Sequence, residues 1–346
     1  MSTYWQSAGV SVRWLIGIVA AFLVCDAGVG ARAEQNKITV SGHYGVNFLP
    51  MQVLQHDRLI EKHAAALGLG NIDVKFVQFT GGAASNEALL SGSVDVAMIG
   101  TAPMIQIWNA TAATRNAVKG VSATGALPFL LNTTNPKVVT IKDFTDQDRI
   151  AVPAIKISVQ AVLLQMASAK AFGEANYAKL DPLTVSMAHP DALAALISGG
   201  RGSINAHFGQ SPFQDEELAH PNVHTVLTSH DVLGGPASGE VFITTSAFHD
   251  ANPTLYRAVL AAIEETIRVV NDDKRRAAQI YVAQTQAKQP AELIERIISG
   301  PEVEYSVVPK GTMHFADFLH KTGRIKRRPT SWSDLFFPEI HDRAGS

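Results

Sequence analysis

The 346-residue chain holds one cysteine, Cys25, and it falls in an N-terminal stretch that reads as a removable leader. Beyond that stretch there is no thiol, which excludes disulfides and thiol chemistry there. Charge of one sign is also lacking. Lys and Arg number 29 against 31 Asp and Glu, for a net charge of −2. Without a basic excess, nucleic acid is not an expected partner. No G-x-S-x-G elbow, P-loop, H-E-x-x-H or Cys/His set occurs, so the usual signatures of serine hydrolysis, nucleotide binding and zinc are missing. His220 and His224 stand four apart, but Pro221 breaks any helix between them. Neither a metal nor a cofactor is expected.

What the N-terminus has is a leader pattern. Arg13 supplies the positive flank, and Trp14 to Val24 is an apolar run of 11 residues, too short to span a bilayer comfortably. Ala31-Arg32-Ala33 fits an A-x-A cleavage site. Residues 1–33 are therefore expected to be a signal peptide, with a mature chain from Glu34. Lipid attachment at Cys25 would call for a small residue before it, and Val24 is not small. No later run is apolar enough for a membrane helix, so no stable membrane insertion is expected after cleavage.

Length suggests about two domains. The stretch Asp148–Ala167 organises the chain. Ile150, Ala151 and Val152 read as a short buried strand and Pro153 opens a loop. Ser158 is placed to cap a helix whose apolar face is Val159, Val162, Leu163 and Met166. The first third repeats this unit three times. Ile38–Val40 leads through Gly42 to Leu49 into a helix opened by Pro50 and closed at Gly68 and Gly70. Asp73–Phe79 leads through Thr80-Gly81-Gly82 into a short helix. Val94–Ile99 leads through Gly100 to Pro103 into another. Such β-α repetition predicts an α/β fold with a mainly parallel sheet. Parallel strands place all their carboxyl ends, and so these loops, along one edge.

Further on, Phe129–Thr134 and Lys137–Ile141 flank Asn135-Pro136 and read as two extended segments crossing between lobes. Asp181–Ala188, Ile204–Phe208 and Asn222–Thr228 read as strands, and Glu240–Thr244 as the return crossing. From Asn252 the chain reads as helical, over Pro253–Val270, Arg275–Gln284 and Pro290–Ile298. Their mixed polarity at Ala262, Glu265, Thr266 and Val269 predicts packing on a surface rather than in a core.

The segment Asn86–Trp108 carries Leu-x-x-Gly-x-x-Asp-x-Ala through Leu89 or Leu90, Gly92, Asp95 and Ala97. It resembles the signature of periplasmic substrate-binding proteins of the nitrate/sulfonate/taurine class. Ile141–Ala167 resembles the start of that class's second lobe, and Thr330–Pro338 its tail. The resemblance implies the type II periplasmic-binding-protein fold: two α/β lobes, each with a mainly parallel sheet flanked by helices, joined by two extended crossovers. Residues 34–140 with 237–346 would form lobe 1 and residues 141–236 lobe 2. It also implies a monomer in the periplasm. By lobe closure this receptor would deliver a small ligand, an aliphatic sulfonate or nitrate-like anion, to the transmembrane subunits of an ABC permease. Other readings are an enzyme of the same fold acting on a pyrimidine-type precursor, and a sensory receptor docking on a signalling protein.

Carried over by residue, the ligand site comprises Tyr44, Asn47 and Phe48 after the first strand; Thr80, Gly81 and Gly82 after the second; and Thr101 after the third. From the second lobe come Ser158, Gln160, His207 and Gln210. These loops contain no arginine, and Lys156 is the only nearby cation, which disfavours a dianion. Tyr44 and Phe48 could line an apolar part of the ligand. Asp95, in an apolar strand, is expected to accept amide hydrogen bonds as a structural carboxylate. The basic run Lys326-Arg327-Arg328 reads as a solvated face.

Overall fold

In the computed structural model, residues 33–79, 82–198 and 203–346 are described. The first lobe begins β1 (Lys37–Gly42), α1 (Leu49–His56), α2 (Leu59–Ala66), β2 (Asp73–Gln78) and α3 (Gly82–Leu90). It continues β3 (Val96–Gly100), α4 (Thr101–Thr111) and β4 (Val118–Gly125). The chain then crosses to β5 (Leu130–Thr133), β6 (Ile150–Val152), α5 (Val159–Phe172), β7 (Thr184–Ser186) and α6 (His189–Ile197). There follow β8 (Ala206–Phe208), α7 (Phe213–Leu218), β9 (His224–Thr228) and α8 (Ser229–Leu233). It returns as β10 (Glu240–Thr245) and ends in α9 (Ser246–Ala251), α10 (Pro253–Asp272), α11 (Lys274–Thr285), α12 (Ala291–Ile298) and α13 (Thr312–Lys321).

The strands form two five-stranded sheets, ordered β2-β1-β3-β10-β4 and β7-β6-β8-β5-β9. In each, one strand runs against the rest: β10 lies antiparallel to β3 and β4, and β5 antiparallel to β8 and β9. Those two are the strands that arrive from the other sheet. A chain entering from the far lobe meets the carboxyl edge first and must run the opposite way. Every residue of β3 and β10 is buried, as expected for central strands covered by helices on both faces.

Three expectations from the sequence need correction. First, β5 belongs to the second sheet, so the outward crossing comes before Leu130. Lys137–Ile141 is not a strand, because the Asp143 carboxylate accepts from Val139 N (3.1 Å) and Thr140 N (2.7 Å) and curls the segment into a capped turn. Second, the helix expected after Pro50 is two helices. They part at Arg58, whose φ of 52° is left-handed, while the preceding Asp57 is clasped by both terminal nitrogens of Arg276 at 2.9 and 2.6 Å. Third, α10 contributes one full face to the core, while Arg257 and Arg268 on its other face are exposed. Leu255, Tyr256, Ala258, Val259, Ala262, Ile263, Thr266 and Val270 are buried against its neighbours, which include α1 and α2. Full burial of each large aliphatic side chain contributes roughly 1.5–3 kcal/mol.

Candidate functional site between the two sheets

The carboxyl edges of the two sheets face each other across a small cavity of about 40 Å³. Its first-lobe wall is His43, Tyr44, Phe48, Gly100, Pro103 and Glu240. Its second-lobe wall is Pro153, Ala154, Ile157–Gln160, His189 and Gln210. Close approach of the walls depends on Gly100. A Cβ there would stand 2.5 Å from Val159 Cγ2, so a side chain would hold the lobes apart. Backbone joins the walls as well, Val46 N donating to Ser211 O at 2.8 Å. Beside it, Gln210 Nε2 donates to the Tyr44 carbonyl. Among the described residues, no lysine or arginine lines the cavity.

The second-lobe wall is backed by a buried polar chain. Burial and the neighbouring His207 and His43 hold His189 well below the ordinary histidine range, so its ring is neutral. Gln160 Nε2 lies 3.3 Å from His189 Nε2. An amide NH₂ can only donate, so that ring nitrogen accepts and the ring proton sits on Nδ1. It points at His207 Nε2, 2.8 Å away. His207 then carries its proton on Nδ1, which donates to Glu217 Oε1 at 2.5 Å. The other Glu217 oxygen accepts from Asn132 Nδ2 at 3.0 Å.

The first-lobe wall is less fully partnered. Glu240 opens β10 opposite Gly100, the last residue of β3. Its side chain is buried, and burial pushes its carboxyl up to about 8. Asn47 Nδ2 donates to Oε2 at 3.1 Å. Among the described residues the other oxygen has no hydrogen-bond partner and no cation pairs with it. His43, held by Ser85 Oγ at 2.8 Å, is brought down to about 4 by burial. Near pH 7 this wall is uncharged.

Of the residues expected from the sequence, Tyr44, Phe48, Ser158, Gln160 and Gln210 line the cavity. Asn47, Thr101 and His207 do not; each stands one layer behind. Asn47 braces Glu240, and His207 braces His189. The Thr101 hydroxyl donates to Ser238 O at 2.6 Å, tying the base of α4 to the returning chain. Ser158 caps α5, accepting from Ala161 N at 3.3 Å. Thr80 and Gly81 lie outside the described residues, and Gly82 opens α3. Asp95 accepts from Thr39 N at 2.7 Å, a structural use. His224 bonds the Val138 carbonyl.

Sequence reasoning missed His43, His189 and Glu240. A charged residue heading the apolar run Glu240–Thr245 was the available signal for Glu240. His189 is the first residue of α6, directly before Pro190, close to the position that Ser158 holds at α5.

No protein-family model and no curated sequence matches the chain. Solved structures do. The alkanesulfonate-binding protein SsuA from Xanthomonas axonopodis pv. citri, bound to MOPS, matches with a TM-score of 0.68 at 16% identity, over 88% of this chain and 99% of that one. The periplasmic aliphatic sulphonate binding protein SsuA from Escherichia coli gives 0.64 at 18%, over 87% and 99%. The periplasmic nitrate-binding protein NrtA from Synechocystis PCC 6803 gives 0.64 at 16%, over 87% and 84%. The chain has the periplasmic-binding-protein fold these structures share: mixed α/β, with two five-stranded sheets flanked by helices.

Proposed function

We propose that the chain is an extracytoplasmic receptor that traps a small solute between its lobes and presents the closed form to an ABC uptake permease. The observation that carries this reading is a polar cavity walled by loops from both sheets, with Gly100 bare where Val159 enters. A site shared by two lobes couples occupancy to their approach, because ligand contacts on both walls are completed only when they meet. The N-terminal leader pattern supports export. Among the described residues no helix is long and apolar enough to cross a membrane.

Sulfonates and nitrate-like anions are the ligands that the sequence resemblance suggests. The walls offer them polar hydrogens but no lysine or arginine as counter-charge. The cavity has room for only a few heavy atoms, so an alkyl tail would need the lobes to part further.

The test is small-angle scattering and thermal melting of the mature chain against small sulfonates, nitrate, amines and amidines. A ligand that raises the melting temperature and stabilises a more compact form supports the receptor. Gly100→Val, which wedges the lobes, should lose the compaction. Turnover of a bound compound, or no ligand response at all, would overturn the reading.

A further inference from the structure

Resting on the receptor reading above, we propose that the solute is a small organic cation bearing N–H donors, of the ammonium or amidinium type, and that Glu240 is its counter-ion. The cavity's walls include an open carboxyl oxygen and two aromatic rings. Glu240 presents one carboxyl oxygen that no described residue bonds, while Asn47 occupies the other. Asn47 Oδ1 is itself buried without a partner. Across the gap, the proton order along Glu217, His207 and His189 leaves the His189 ring neutral, with its Nε2 accepting from Gln160 Nε2. Tyr44 and Phe48 add two rings, and an aromatic face attracts a desolvated cation.

A buried carboxyl with no cation beside it is costly to ionise, and the molecule leaves this cost unmet. Its two strand neighbours in register are Gly100 and Gly125, which bring no charge. Tyr305 is a titratable group within electrostatic reach of it. Burial, with Glu240 next in weight, pushes that phenol far up, so it stays neutral, and its hydroxyl is spent on Val46 O at 3.4 Å. His43 and His189, the two histidines on the wall, are neutral near pH 7. Among the described residues no group answers Glu240, so a cationic guest is the partner that would let it ionise. On binding, the Glu240 carboxyl proton leaves to solvent and the carboxylate accepts the guest's N–H.

Acetamidinium, which stays protonated over the range used, serves as the probe, with methylammonium, nitrate and methanesulfonate beside it. Titration calorimetry on the mature chain at pH 7 and pH 9 reads affinity. Paired buffers of different ionisation enthalpy read proton release. A carboxyl that titrates near 8 is about one-tenth ionised at pH 7 and about nine-tenths at pH 9, so amidinium affinity should rise about tenfold, with close to one proton released per guest at pH 7. Glu240→Gln should remove the pH dependence and the proton release together. Glu240→Asp should keep both, with weaker binding.

If nitrate or methanesulfonate binds instead, with affinity falling as pH rises past 8, Glu240 is donating its hydroxyl to an anion. The cation assignment is then overturned while the receptor stands. If the amidinium binds equally in Glu240→Gln, the assignment of its counter-ion is overturned. If no probe binds or alters compaction, both readings fail.

Discussion

The two walls of the cavity differ in how completely they answer their own polar groups. On the second-lobe side the buried acid, Glu217, has a partner for each oxygen, and its influence runs through two imidazoles to the cavity surface. On the first-lobe side the buried acid, Glu240, has one amide and no other side-chain partner among the described residues. The difference separates support from recognition. A satisfied network holds a side chain in one orientation at little cost, whereas an unsatisfied one carries a penalty that a ligand can relieve.

Breaking the satisfied side should destabilise the fold at every pH. His207→Ala strips Glu217 of its closest partner in a site where both side chains are 0% exposed. Leaving a buried acceptor without its donor typically costs about 1–3 kcal/mol. The expected result is a lower urea midpoint with an unchanged slope. A loss below about 1 kcal/mol would show that water or a rotamer change rescues Glu217, and that the chain does not rigidify this wall.

On the unsatisfied side the same kind of change should do the reverse. Glu240 is raised from an ordinary 4.5 to about 8. Between those values the folded protein holds a proton that the unfolded chain has released. Its contribution is fully present below about 4.5 and is lost as pH rises through about 8, on the order of 5 kcal/mol in all. Glu240→Gln should remove this decline and exceed the parent in stability at pH 8. His43 acts with the opposite sign. It falls from 6.5 to about 4, so its contribution is lost as pH drops through that window. The parent should therefore lose stability at both ends, and Glu240→Gln at the acid end alone. Urea midpoints from pH 4 to 9 read both slopes.

The sequence made the second lobe's entry legible because its signals are local. Ser158 ahead of an apolar i, i+3, i+4 stripe marks a capped helix whatever surrounds it. Glycine-ended strands such as Val96–Gly100 likewise announce the loops that gather at the sheet edge. The missed features are non-local. The chain from Glu217 through His207 to His189 joins α7, β8 and α6, and no spacing along the sequence brings those side chains together. Glu240 and Asn47 are paired across 193 positions. The buried stripe of α10 was missed for a related reason. Its Ala262 and Thr266 look neutral in sequence and become core only because α1 and α2 pack on them; Thr266 turns its hydroxyl onto Ala262 O at 2.8 Å.

A third contact between the lobes lies far from the cavity, and it should matter least. Lys321 at the end of α13 pairs with Glu174 beyond α5, with side chains 59% and 71% exposed. Water and salt screen such a pair, and two long side chains must be ordered to make it, so its net worth is about 0–0.5 kcal/mol. The contrast is with Val46 N and Ser211 O, which meet at 2.8 Å beside the cavity and gain from exclusion of water. Lys321→Ala should leave the melting temperature unchanged at physiological salt and shift it slightly at low salt. If it instead loosened the lobes in scattering, or weakened ligand binding severalfold, closure would be governed by charges on the rim. The partnered and unpartnered walls of the cavity would then have to be weighed against that outer clasp.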